Sequence, residues 1–354
     1  MVGNHKIMAH LILIPFILLM GCVNSTNKEK SSVEQSSELS VRNAHSMAYH
    51  AKDSLTYLFG GADQEQVLSD LWVMEDTDWR KIETNDGPQP RTFAPLIYDS
   101  ENDRLILFGG SKVLFGKTTD PQNLLNDTWQ FKNKQWGKLI TNNAPSPRAE
   151  AVMVYDESRN TVVLFGGYNI QDGKYIKLND TWEFHDNDWH MISTAGPSER
   201  HGISMAYGPE DKSVILFGGS TIDKQYGESG GETWQWNGEA WVKLEISQPP
   251  GVFNAPMVYD EAEGKFIRFG GWNGKSRIDE TWSFLNNEWN KIEMSISPSP
   301  RNHSAMVYDE KQKRTVLFGG HDGENVFGDT WIYADRKWKR ISESRPIMRV
   351  KNGH

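Results

Sequence analysis

Five arginines recur at one spacing. Arg42, Arg91, Arg148, Arg200 and Arg301 each stand seven residues before a tyrosine, namely Tyr49, Tyr98, Tyr155, Tyr207 and Tyr308. A guanidinium grips a carboxylate through two parallel hydrogen bonds, so five of them converging would form a basic trap for carboxylates on a peptide or an acidic sugar. The same recurrence suits a structural tie, each arginine holding its loop to carbonyls or acids of a neighbouring unit. That second reading carries more weight, because a ligand rarely needs five equivalent contacts. The pattern breaks once: Val252 stands seven residues before Tyr259, and Arg268 replaces the leucine found elsewhere (Leu58, Leu107, Leu164, Leu216, Leu317). Hairpin register would set Arg268 opposite Met257, five residues or roughly 16 Å of extended strand from Val252, too far to replace the missing guanidinium. Arg268 is therefore expected to pair with an acidic neighbour of its own, since an unpaired buried charge costs several kcal/mol.

Other groups are scattered. Trp272 lies outside every repeating position, which makes it a candidate stacking platform, and His321 stands with His45, His201 and His303, drawn from three of the units. Metal binding by these histidines would need a convergence that spacing alone does not impose, and solvated loop histidines are the simpler expectation. Glu199 beside Arg200, Glu228 and Glu232 are the carboxylates available for acid–base work. No Ser/His/Asp set, phosphate loop or cofactor motif accompanies them, so no cofactor is expected.

The formal charge is −9 and no block of Lys and Arg interrupts it, which excludes a nucleic-acid footprint. Cys22 is the only cysteine, so neither an internal disulfide nor a cysteine metal site can form. It ends an N-terminal segment with a weakly basic start (His5, Lys6, His10) and an apolar run from Leu11 to Met20, interrupted by Pro15. The run is too short to span a bilayer and reads as an export signal over residues 1–21. Its end, Leu19-Met20-Gly21-Cys22, resembles the lipobox of bacterial lipoproteins, which implies diacylglycerol on Cys22 and often an N-acyl chain. Two or more chains make a lasting membrane anchor, placing the folded part on the extracytoplasmic side of a bacterial envelope. Residues 22–40 hold almost nothing apolar and read as a flexible tether.

The positioning elements come from a phrase that returns six times between residues 41 and 344. Each copy has an apolar run ending in two glycines, an acidic residue before a first Trp, and a second Trp seven residues later, as in Gly60-Gly61, Asp70, Trp72 and Trp79. Glycine pairs are spaced by 49, 57, 52, 52 and 49 residues, and the last unit reads as four short strands over 304–308, 315–318, 329–333 and 338–341. Fourteen Trp and 31 Gly with almost no helical periodicity fit an all-β repeat protein. Spacing, glycine pair and aromatics together resemble the kelch repeat, which implies a six-bladed β-propeller of four-stranded antiparallel blades and a tail over 345–354. The repeated Trp and Tyr should pack between blades. The repeated acids (Asp70, Asp127, Asp180, Glu232, Glu280, Asp329) should accept hydrogen bonds.

Strand parity places the B–C loop and the D-to-A loop of every blade on one face. The B–C loops vary most, so that face is the expected binding face, elaborated over blades two to four. The kelch resemblance puts strand A innermost and the arginines near the mouth of a central channel. A protein or glycan ligand held by Arg42, Arg91, Arg148, Arg200, Arg301, Trp272 and His321 is the expected function. Galactose oxidase, a kelch-containing enzyme, needs a Tyr–Cys cross-link that this chain cannot form. Bacterial sialic-acid epimerases, six-bladed kelch proteins with working acid and Arg groups, are the enzymatic alternative.

Overall fold

A computed structural model describes residues 38–343, apart from 115 and 222–229. The signal segment, Cys22, most of the tether, Glu228 and the tail from 345 lie outside the described residues. Six four-stranded antiparallel sheets follow one another, each built from consecutive strands A to D. Blade one is Ser46–His50, Leu55–Phe59, Leu71–Glu75 and Asp78–Ile82. Blade six is Ala305–Asp309, Arg314–Phe318, Asp329–Ala334 and Lys337–Glu343, within a residue or two of the expected strands. Strand A of each blade neighbours strand A of the next, so the A strands surround an axial channel. The all-β six-bladed propeller expected from the repeat is the fold observed.

The ring closes without a shared blade, because the contacts between blades six and one repeat those between all other neighbours. Arg91 donates its backbone N–H to the Leu68 carbonyl (3.0 Å) and accepts from Gly61 N–H (2.9 Å), both in the preceding blade. Arg42 does the same across the closure, to Phe327 and from Gly320, at 2.9 Å each. The glycine pair is what permits this approach: Gly60 has φ +65°, and a Cβ there would lie 2.7 Å from the Arg91 carbonyl oxygen. Apolar clusters fill every blade junction, including Met47, Leu58 and Trp72 of blade one against Val307, Val316 and Phe318 of blade six.

The second Trp of each unit packs against the blade before it, Trp136 on Phe59 of blade one for instance, and in five units it also hydrogen-bonds there. Trp189, Trp241, Trp289 and Trp338 donate Nε1–H to Thr128, Thr181, Thr233 and Thr281 at 2.8–2.9 Å, and Trp79 closes the ring on Thr330 at 3.0 Å. The strand-A tyrosines do the same near the lower face: Tyr49, Tyr155 and Tyr308 accept from backbone N–H groups of Lys311, Glu101 and Ala262. The repeated aromatics thus join blades, as expected.

The five arginines supply the polar half of each junction. Arg148 donates to both Asp180 oxygens (2.6 and 2.7 Å), to the Gly166 carbonyl (3.1 Å) and through Nε to the Ser146 carbonyl (3.0 Å). Arg42 with Asp70, Arg91 with Asp127 and Arg301 with Asp329 repeat the two-pronged clamp, and Arg200 reaches Glu232 at 2.9 Å. All five arginines are at most 1% exposed. The first Trp completes each clamp, as Trp182 Nε1–H donates to Asp180 at 2.6 Å. Burial would raise the Asp180 pKa, but the Arg148 hydrogen bonds and charge hold it below the usual value. The partner acid belongs to the arginine's own blade, while the arginine's backbone is bonded to the blade before.

Blade five corrects the expectation for Arg268. Its guanidinium lies 3.4 Å from the Gly270 carbonyl, the counterpart of the glycine carbonyls that the other five arginines reach. It therefore stands at the place left empty by Val252. The 16 Å separation fails because the chain between Val252 and Met257 is not extended: Asn254 has φ +54°, and the path curls back so that Val252 lies beside Gly271. Among the described residues Arg268 forms no close ion pair, since Glu280 is bonded by Lys291 (2.9 Å) and Trp282 (2.9 Å) and acts on Arg268 only through space. The guanidinium rests against the Phe217 and Trp289 rings at 5.1 and 5.8 Å. Burial lowers its pKa to about 9 despite Glu280.

Two predictions follow from these junctions. Arg148→Ala leaves the partly buried Asp180 with only its Trp182 hydrogen bond and should lower stability by about 2–4 kcal/mol, whereas Arg268→Leu removes a poorly satisfied charge and should stay within about 1 kcal/mol of the parent or exceed it. Denaturant titration checks both, and equal losses would show that Arg268 is a full substitute for the clamp. The second concerns His45 at the blade six–one seam. Burial first and the Arg42 charge second push its pKa from 6.5 to about 3. Between those values the unfolded chain binds a proton that the folded chain does not, so stability is full above pH 6.5 and falls as pH drops toward 3. His45→Ala, matching Ala94, Ala151 and Ala255 of other blades, should make the stability–pH slope shallower by about 1.4 kcal/mol per pH unit between pH 6 and 4. An unchanged slope in thermal melts at several pH values would overturn this.

Candidate functional site

Two residues beyond each arginine position, six residues ring the upper channel: Ala44, Phe93, Glu150, Gly202, Asn254 and His303. All have φ between +52° and +64°. Each backbone N–H donates to the carbonyl of its counterpart in the preceding blade, at 2.7–3.3 Å, and Ala44 N–H closes the circle on His303. Left-handed backbone is costly for Ala44, Phe93 and Glu150, and less so for Gly202, Asn254 and His303. The closed circle of hydrogen bonds and the clamps beside it hold them there. Below this collar, Met47, Leu96, Met153, Met205, Met257 and Met306 line both a chamber of about 240 Å³ and a lower one of about 340 Å³.

Above the collar lies a cavity of about 570 Å³ on the B–C-loop face. Its floor includes Phe93, Glu150, Asn254 and His303, and its walls include Trp272, Arg277 and His321. The residue after each glycine pair is pinned by a two-residue bridge to the residue after each arginine position, as Trp272 is to Phe253 and His321 to Asn302. Those bridges aim Trp272 and His321 over the axis although their loops are short. Of the long loops, that of blade two adds Leu114 and Lys117 to the wall, while that of blade three folds into a hairpin (Tyr168–Gln171 with Lys174–Lys177) that does not line the cavity. Sequence reasoning placed the elaborated side over blades two to four. The cavity draws as much from blades five and six.

Glu150 is the charged centre of the floor. Its side chain is 2% exposed and lies 2.7 Å from His201 Nδ1 and 4.0 Å from His303 Nε2. Burial alone would raise its pKa, but His201, His303 and a hydrogen bond from Asn254 keep it below the usual value, so it is ionised. His303 Nδ1 and His321 Nε2 share a hydrogen bond of 2.9 Å with the rings stacked. Burial and then His321 drive the His303 pKa to about 3, while burial and then Arg277 take His321 to about 4, so both are neutral near pH 7. Arg277 packs over the Trp272 ring at 4.9 Å and donates Nε–H to Asn302 at 3.0 Å. Two buried polar atoms in this cavity have no hydrogen-bond partner among the described residues: His303 Nε2 and Trp272 Nε1.

Of the expected site residues, the structure brings Trp272 and His321 into the cavity. Arg42, Arg91, Arg148, Arg200 and Arg301 do not line it, because each is enclosed in its clamp and turns no guanidinium edge toward the channel mouth. Glu232 belongs to the Arg200 clamp and also bonds Lys243 at 2.6 Å, and Glu199 is not part of the cavity wall. Glu150, Asn254 and Arg277 were not singled out from the sequence. A signal existed: at the collar position Glu150 and His303 are titratable where the other blades have Ala, Phe, Gly and Asn. Among the described residues, no group of three or more His, Cys, Asp or Glu side chains is arranged to hold a metal ion.

Comparison with known proteins places the fold in context. The chain is 28% identical over 209 residues to Mei4-dependent protein 6 of Schizosaccharomyces pombe, covering 53% of this chain and 29% of that protein. It is 28% identical over 298 residues to an F-box/kelch-repeat protein of Arabidopsis thaliana, covering 74% of this chain and 58% of that one. The chain thus spans less than two thirds of these relatives. A solved structure of YjhT superposes with a TM-score of 0.65 at 15% identity, over 85% of this chain and 97% of that one, a likeness of fold alone. A family model, the KLHDC2/KLHL20/DRC7 Kelch-repeats domain, matches residues 19–219 and again 157–354. The chain belongs to this kelch-repeat family.

Proposed function

We propose that the chain is a binding module that engages a protein or glycan ligand through its B–C-loop face, with the axial cavity as the centre of the contact. One observation carries this reading. The side chains that break the repeat on that face (Glu150, Trp272, Arg277, His303, His321) converge on one cavity of about 570 Å³, while the repeated ones are consumed in blade junctions. A volume of that size is typical of a ligand pocket. Kelch propellers commonly bind proteins, which supports a binding role over catalysis. The lipobox-like end at Cys22 supports a further part of the proposal: the module is carried on the extracytoplasmic side of a bacterial envelope by a lipid anchor. Among the described residues no helix is long and apolar enough to cross a membrane.

Two experiments test this. The full chain, screened on immobilised peptides and glycans, should lose about tenfold or more of its binding on Trp272→Ala with Arg277→Ala, with melting temperature maintained. Binding that survives the double substitution but disappears on changing Glu157, Glu261 and Glu310 at the opposite mouth would overturn the choice of face. For the anchor, Cys22→Ala should move the protein from the membrane to the soluble fraction; continued membrane retention would refute lipidation.

A further inference from the structure

Resting on that reading of the cavity, we propose that its ligand is a neutral, hydroxyl-bearing sugar ring, with one hydroxyl bridging His303 Nε2 and Glu150 and a second oxygen accepting from Trp272 Nε1. The floor sets the first requirement. Glu150 Oε1 and His303 Nε2 stand 4.0 Å apart, too far for a direct hydrogen bond and close enough for one oxygen to reach both at about 2.8 Å. Glu150 Oε2 is already taken by His201, and His303 Nδ1 by His321. His303 is neutral, so in its shared bond with His321 only one of the two nitrogens carries the proton. The nearby carboxylate favours the tautomer with hydrogen on Nε2, which leaves His303 donating toward the gap and Glu150 accepting from it.

Few groups fit between such a donor and such an acceptor. A hydroxyl accepts from Nε2–H and donates to the carboxylate through the same oxygen. An ammonium has no lone pair for His303, and a carboxylate would face Glu150 with like charge. The wall sets the second requirement, because the Trp272 Nε1–H is buried without a partner and needs an acceptor. Arg277, held over Trp272 and bonded to Asn302, opposes a cationic ligand from the wall as Glu150 opposes an anionic one from the floor. Phe93, Phe253 and Trp272 offer aromatic surface to the C–H faces of a ring. A rigid ring carrying adjacent hydroxyls meets these conditions in about the available volume, whereas a peptide segment would bring charged ends or unpaired amides past the same aromatic walls.

The test uses the full chain with D-glucose, D-galactose, D-mannose and N-acetyl-D-glucosamine, beside N-acetylneuraminic acid and a panel of short peptides. At least one neutral sugar at about 20 mM should raise the melting temperature by about 2 °C or more, and saturation-transfer NMR should show contact to its ring protons. Trp272→Phe keeps the ring and removes the donor, and His303→Asn keeps a residue type that accepts the left-handed backbone. Each should weaken sugar binding about tenfold with the fold retained. No response to any of the four sugars overturns the inference and assigns the floor gap to water. Peptides or N-acetylneuraminic acid binding in place of the sugars, with loss on Trp272→Ala, overturns the ligand class but keeps the proposed face. Binding of any probe that is indifferent to Trp272→Ala removes both.

Discussion

The tie at the arginine position, where backbone bonds to the preceding blade are reinforced in five of six blades by an arginine–carboxylate clamp, is what the rest of this propeller depends on. Apolar packing between neighbouring sheets is extensive but has little directional preference, and it would tolerate a range of angles between blades. The clamp is directional. The arginine backbone is bonded to the preceding blade, while its guanidinium grips an acid and a glycine carbonyl of its own blade. One residue therefore belongs to two blades at once. A buried charge pair is weak evidence for net stability, because desolvation offsets most of the attraction. Its contribution here is register: in five blades it fixes the arginine position whose backbone bonds reach the blade before, beside the collar of six backbone hydrogen bonds.

That closure shapes the upper face. Once the collar is closed, the six collar side chains are held around the axis, and each blade shapes the cavity chiefly through three residues: one in the collar, one after the arginine position and one after the glycine pair, to which the B–C loops add side chains such as Leu114, Lys117 and Arg277. Where these are small, as Ala44, Ala62, Gly202 and Ser220 are, the blade leaves space. Where they are large or titratable, as in blades three, five and six, the blade furnishes the floor and walls. The cavity is thus a product of unequal residues on an equal frame. Two of its polar atoms, His303 Nε2 and Trp272 Nε1, have no partner among the described residues although all six collar N–H groups are paired.

Much of this frame was legible in the sequence. Glycine pairs, Trp pairs and strand spacing state the fold almost outright, because each repeats a physical requirement six times: a close backbone approach, a spoke to the blade before, a strand of about five residues. The position of the site was only partly legible. Trp272 stood out because it lies outside every repeating position, and His321 because it follows a glycine pair on the expected binding face. Glu150 did not, because its significance lies in His201 and His303, which come from other blades and stand 51 and 153 positions away along the chain. Repetition reveals which residues are equivalent, and equivalent residues lie on a circle. Which members of the circle touch across the axis depends on side-chain length and tautomer, and neither leaves a periodic trace. The arginine ring was the opposite case, a regular periodic signal open to a carboxylate trap or a structural tie, with recurrence favouring the tie, and the acids beside each guanidinium are what it holds.

Blade five shows how the frame tolerates change. Arg268 enters the clamp position from strand B, two residues before the glycine it contacts, because the curled segment after Val252 brings both routes to one point. The substitute is inferior: it makes one long hydrogen bond, lies over aromatic rings and leaves Glu280 to Lys291. The blade nevertheless holds its place, since the Val252 carbonyl still accepts from Gly219 N–H at 2.9 Å and Asn254 still completes the collar. Backbone continuity therefore carries a junction whose side-chain clamp is weakened. This is also the blade that supplies Phe253, Asn254, Trp272 and Arg277 to the cavity. Relief from the strict arginine pattern and concentration of unpatterned residues occur together in one blade, as expected if the circle of backbone bonds holds the frame while single blades diverge toward a ligand.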